Sequence, residues 1–102
     1  MFRHVVLLRF APEATAEQRR AVAEALAELP AQIPELRRYQ FGADAGVSEG
    51  NFDFAVVADC DDVDGYRAYA THPAHVAVIT ERIRPILAER VAVQYEVPGP
   101  VA

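Results

Sequence analysis

Three histidines, four tyrosines and one cysteine are the side chains of this 102-residue sequence suited to proton transfer or nucleophilic attack. All ten basic residues are Arg. Arginine stays protonated in proteins, so Schiff-base and lysine-base chemistry are excluded. Ser48 is the single serine, and no nucleophilic-serine motif surrounds it. Cys60 stands among Asp59, Asp61 and Asp62, whose negative charges make a thiolate less favourable. Histidine and tyrosine are left. An imidazole with an unperturbed pKa of about 6.5 moves protons near neutrality. A phenol donates a hydrogen bond to the oxyanion that forms when a proton leaves the carbon next to a carbonyl.

Tyr69, His72 and His75 fall in one short stretch, and His4 lies near the start of the chain. His75 sits in the first turn of an expected helix, where the helix dipole lowers an imidazole's pKa and favours the neutral, proton-accepting form. His72 precedes Pro73 and reads either as a helix cap or as a ligand contact. His4 lies in an apolar strand and reads either as a core-edge histidine or as a cavity residue. Tyr66 and Tyr69, three apart on a helix, are either core or substrate contacts. No metal is expected: H-x-x-H lacks the i,i+4 spacing and the Glu of a zinc-protease helix, and no second ligand cluster is present. Gly42, Gly46 and Gly50 are spaced for turns, not for cradling a phosphate, so no cofactor is expected.

These side chains need elements to hold them. Arg3 to Phe10 reads as a strand with His4, Val6, Leu8 and Phe10 on one face and Arg3, Val5, Leu7 and Arg9 on the other. Thr15 and Gln18 form a capping box that opens a helix. Val22, Leu26, Leu29 and Ile33 form its apolar stripe, and Pro30 is expected to stop it. Arg37 to Ala43 is a second strand, with Tyr39 and Phe41 on one face. A loop runs through to Asn51, and Phe52 to Ala58 is a third strand. Asp61 or Asp62 caps a second helix through Tyr66 and Tyr69, interrupted at Thr71, His72 and Pro73. Pro73 then begins a new helix carrying Val76, Ile79, Ile83 and Leu87, kinked or ended at Pro85. Arg90 to Val97 is the last strand, with Val91, Val93, Tyr95 and Val97 facing one way.

The order β-α-β-β-α-β is ferredoxin-like α+β, an antiparallel four-stranded sheet with helices on one face. Residues 1–98 form one domain, and 99–102 a frayed tail. Yet 52% of the chain is hydrophobic, and the strands are apolar on both faces. The uncovered face therefore calls for a second copy, giving a homodimeric α/β barrel in which each chain supplies half of an enclosed space. A net charge of −5 and a pI of about 5.1 argue against nucleic acid. No apolar run is long enough for a membrane helix, and a single cysteine suits a reducing, cytoplasmic setting.

The string Y-A-T-H-P-A-H-V, Tyr69 to Val76, resembles the signature of the stress-responsive A/B-barrel (Dabb) family, and H-V-V-L-L-R-F from His4 is similar to its first strand. The resemblance covers nearly the whole chain. It implies a ferredoxin-like fold that dimerises into an α+β barrel. Among similar proteins, polyketide cyclases of the olivetolic acid cyclase type perform an intramolecular aldol condensation without cofactor or metal. That likeness implies His75 as catalytic base, Tyr69 as its partner and His4 as a pocket residue. The candidate catalytic residues are thus His75 and Tyr69. The candidate substrate-binding residues are His4, Val6, Leu8 and His72. Those cyclases carry aromatic residues on the first helix where this chain has Val22, Ala23 and Leu26, so their substrate does not transfer.

Three functions are weighed. One is a cofactor-independent cyclase, isomerase or lyase acting on a small carbonyl compound. The second is a non-catalytic protein that binds small apolar molecules or assembles under stress. The third, a cofactor-free oxygenase, ranks lowest, because some branches of such enzymes favour Trp or Asn in the pocket. This chain has no Trp and only Asn51.

Overall fold

The computed structural model describes residues 1–98. The expected tail, 99–102, lies outside them. The strands are β1 (Phe2–Phe10), β2 (Arg38–Ala43), β3 (Phe54–Cys60) and β4 (Leu87–Glu96). The helices are α1 (Ala16–Ala27), α2 (Leu29–Gln32), α3 (Val63–Thr71) and α4 (Pro73–Val78). A wide π-helical turn over Ile79–Ile83 and a tight 3-10 turn over Arg84–Ile86 connect α4 to β4. The sheet order is β2-β3-β1-β4, with every pairing antiparallel, so the fold is ferredoxin-like α+β. None of the helices described is long and apolar enough to cross a membrane.

Alternation sorts β1 as its sequence requires. His4, Val6, Leu8 and Phe10 are buried beneath the helices, while Val5 and Leu7 are only half-buried on the opposite face. Val22, Leu26, Leu29 and Ile33 all reach the core. Thr15 caps α1 through the Gln18 amide, and the Gln18 side chain returns to the Thr15 N–H, so the capping box forms.

Several sequence expectations move. Pro30 does not stop the helical course: it occupies the first turn of α2, where its missing N–H is harmless. The third strand begins at Phe54 and runs to Cys60. Asp53 leaves the regular ladder, and its carboxylate accepts the Phe10 N–H at 2.8 Å. The last strand starts at Leu87 rather than Arg90, because the tight turn at Pro85 has already ended the helix. Val76, expected inward, is 45% exposed. His75, Val78 and Ile79 hold the inner side of α4. The wide turn then inserts one residue, so the inward phase passes to Ile83 and Arg84.

On β4 the alternation runs opposite to the hydrophobic expectation for a covered sheet. Arg90, Ala92 and Gln94 pair across from Leu8, Val6 and His4 and share their face. Val91, Val93 and Tyr95 stand on the open face beside Leu7, Val5 and Arg3. Val57 and Ala55 of β3 extend that apolar stripe. Its rim is charged: Arg3 clasps the fully buried Asp59 through two 2.8 Å contacts, and Arg9 reaches Glu89 at 3.5 Å.

Candidate functional site

A cavity of about 330 Å³ opens between the inner face of the sheet and the helical layer formed by α3, α4 and the wide turn. Val6 and Leu8 from β1, Val56 from β3, Leu26 from α1, and Ile79 and Ile83 supply its apolar wall. His4, Tyr39, Tyr66, Tyr69 and His75, with Arg84 and Arg90, supply its polar groups. The cavity lies on the helix side of the sheet rather than on the open face, because the parity that buries His4, Val6 and Leu8 turns them toward the helices. A shallower depression of about 510 Å³ beside Leu7, Asn51 and Ala55 contains no histidine or tyrosine.

The Pro73 break makes the central pair. In an unbroken helix, residues 69 and 75 would be separated by about 9 Å along the axis. Ending α3 at Thr71 and restarting at Pro73 folds His75 back over Tyr69, with ring centroids 4.2 Å apart. His75 Nδ1 lies 3.0 Å from the Ala70 carbonyl oxygen. A carbonyl only accepts, so Nδ1 carries the proton and Nε2 keeps a free lone pair. Burial lowers the His75 pKa, with Arg90 and His72 adding to the effect and the Ala70 bond opposing it. Desolvation is thus the main cause. A neutral imidazole with a basic Nε2 results.

Tyr69 is 2% exposed, and its hydroxyl stands 3.5 Å from that of Tyr39, long for an O–H···O bond. Burial, reinforced by Tyr39, pushes the phenol far above its ordinary pKa, so it stays a proton donor. Burial likewise raises Tyr39.

His4 faces the cavity from the other side, its ring 4.8 Å from that of Tyr66. Gln94 Nε2 donates to His4 Nδ1 at 2.9 Å, which places the neutral ring's proton on Nε2. Burial, with Arg90 and His75, lowers the His4 pKa to about 4. The cavity thus holds one imidazole with a free Nε2 lone pair and one with an Nε2–H.

Of the residues singled out in sequence, His4, Val6, Leu8, Tyr69 and His75 converge on this cavity. His72 does not join them. Its Nδ1 accepts the Ala74 N–H at 3.1 Å and caps α4. Among the described residues no group of three His, Cys, Asp or Glu side chains comes together as a metal site. Cys60 is buried, and its thiol is pushed up to about 11 by burial and the neighbouring carboxylates. Sequence reasoning passed over Tyr39, Gln94, Arg84 and Arg90. The signal for Gln94 and Arg90 was present: they alternate with Val91, Val93 and Tyr95.

The sequence model of the stress responsive A/B barrel domain (Dabb) matches residues 2–97. The chain belongs to the Dabb family. Its Tyr69-to-Val76 segment, which carried the resemblance, is the α3–α4 junction that builds the site. A similar protein of Streptomyces coelicolor, described as uncharacterized, is 33% identical over 79 residues, 76% of this chain and 81% of that one. A dimeric ferredoxin-like protein of unknown function from Thermobifida fusca is 52% identical, with a TM-score of 0.88 over 94% of this Dabb chain and 90% of that one. The hydroxynitrile lyase of Passiflora edulis shares the Dabb chain's fold at 18% identity, with a TM-score of 0.82 over 99% and 96% of the two chains.

Proposed function

We propose that this Dabb protein is a cofactor-independent acid–base enzyme acting on a small carbonyl compound, as a cyclase of the polyketide aldol type, an isomerase or a lyase. One observation carries the reading: His75, neutral and with a free Nε2, packs against the protonated Tyr69 in a cavity with an aliphatic wall. Nε2 of His75 takes the proton from the carbon next to the carbonyl, and the C–H electron pair moves into the enolate. Tyr69 donates to the enolate oxygen, and the Nε2–H of His4 supplies a second donor. The apolar wall excludes water and strengthens both contacts. The proton then returns from His75 to carbon or oxygen, which closes the cycle without redox change.

The experiment is deuterium exchange at the α-carbon of a panel of aryl ketones and β-keto esters, followed by NMR. His75→Ala should abolish enzyme-dependent exchange while the fold and assembly persist. Exchange that survives in the variant rules the mechanism out.

A homodimer formed through the open sheet face is part of the proposal. The apolar stripe of Val5, Leu7, Val57, Val91 and Val93 supports it. So does the dimeric state of the 52% identical Thermobifida fusca protein.

A second reading, binding without turnover, is favoured by the wholly aliphatic wall of Val6, Leu8, Leu26, Val56, Ile79 and Ile83. Under it, apolar ligands raise the melting temperature equally in wild type and His75→Ala, and no exchange is seen in either.

A further inference from the structure

The charge lining the cavity runs against the charge of the chain. The sequence carries fifteen acidic and ten basic residues. Among the described residues no carboxylate lines the cavity, whereas two guanidiniums do, those of Arg84 and Arg90. Both residues are exposed, so they stand at the cavity's open side rather than in its floor. Neither is ion-paired among the described residues, although Arg3, Arg9, Arg37 and Arg67 each find an acid.

Their placement has backbone causes on two separate elements. Arg90 lies opposite Leu8 on the inner face of β4, where the helices provide no acid to meet it. Arg84 arrives through the wide turn over Ile79–Ile83, whose extra residue rotates position 84 inward. An uninterrupted α-helix would leave a different residue there. The charge of Arg90 is felt inside, since it disfavours protonation of both His4 and His75.

We propose that Arg84 and Arg90 form an anion-recognition site at the mouth of the cavity, so that the molecule it takes has an apolar body and an anionic head group. The head group is a carboxylate or a phosphate monoester, which the planar fork of a guanidinium receives with two parallel hydrogen bonds. The aliphatic wall takes the body, and the histidines and Tyr69 meet the part between. This assignment rests on the acid–base reading for the use made of the ligand, but the anion site itself does not require turnover.

The test is binding of benzoate, its neutral isostere benzamide, and phenyl phosphate to the full chain, followed by calorimetry and by NMR of the histidine rings. Benzoate should bind about tenfold more tightly than benzamide, and more weakly as salt is added. Phenyl phosphate against benzoate tells which head group is preferred. Arg84→Gln with Arg90→Gln should abolish the preference of the anions over benzamide. Arg82→Gln, an exposed arginine outside this cavity, should retain it. Equal binding of benzoate and benzamide by the wild type overturns the proposal. So does an anion preference that survives the double substitution. His75→Ala separates the two readings: loss of exchange chemistry with benzoate binding intact upholds both, and exchange that persists in that variant defeats the enzyme reading alone.

Discussion

His75 packs on Tyr69 with ring centroids 4.2 Å apart because Pro73 divides one helical course into two. The contact sets the ring of a neutral imidazole, its Nδ1 held by the Ala70 carbonyl, against the ring of a phenol that burial keeps protonated. A base and a hydrogen-bond donor therefore share one wall of the cavity, and each can be tested by itself.

Tyr69→Phe removes the donor and keeps the ring. The Tyr39 contact at 3.5 Å is long, so folding stability should change by no more than about 1 kcal/mol. The rate of α-carbon exchange should fall by roughly 10²-fold, since one oxyanion donor is lost. Thermal melting alongside exchange rates checks this, and an unchanged rate would remove Tyr69 from the mechanism.

The pH profile follows from the lowered His75 pKa. The neutral form is the base, so kcat/KM should rise with pH, with its midpoint below the ordinary histidine value of about 6.5. A midpoint above 6.5 would contradict the burial that defines the site.

His4 makes stability depend on acidity. Its pKa is about 4 when folded and 6.5 in its ordinary state, so the unfolded chain binds more protons between those values. Stability should be full above pH 6.5 and decline as pH falls toward 4, by on the order of 3 kcal/mol from this group. Urea unfolding of wild type and His4→Gln across that range isolates the contribution. Equal slopes in the two proteins would sink the assignment.

The open face offers an assembly test. Val93 is 58% exposed in the single chain and sits across from Val5 at the middle of the apolar stripe. Val93→Glu should convert a dimer into a monomer in sedimentation experiments, because a carboxylate buried at an apolar interface lacks a partner. Far-ultraviolet circular dichroism should stay unchanged. A dimer that survives the substitution would place the interface elsewhere.

Much of this was legible along the chain. The period-two pattern of β1, the four-three-four stripe ending at Ile33, and the Thr15–Gln18 box each express a local rule. The Tyr69-to-Val76 string pointed to the family and to the right junction. What escaped was relational. Val76 misled because its spacing from Ile79 and Ile83 fits one stripe, whereas α4 turns His75 and Val78 inward and leaves Val76 outside. His72 and His75 look equivalent in H-P-A-H, yet one caps α4 and the other enters the cavity. Alternation puts Gln94 on the face opposite Val93 and Tyr95, but only the antiparallel register sets it across from His4.

By itself the amino-acid sequence determined the ferredoxin-like order of elements, the alternating faces of β1, the break at Pro73 and the small set of residues able to move a proton. These are consequences of local sterics and of side-chain periodicity, and both act over a few residues. Only the tertiary structure decided that His4, Val6 and Leu8 line a cavity beneath the helices, that Gln94 holds His4, and that Arg84 and Arg90 both line that cavity. Those outcomes depend on sheet register and helix phase, where a shift of one residue turns a side chain from the cavity to the solvent.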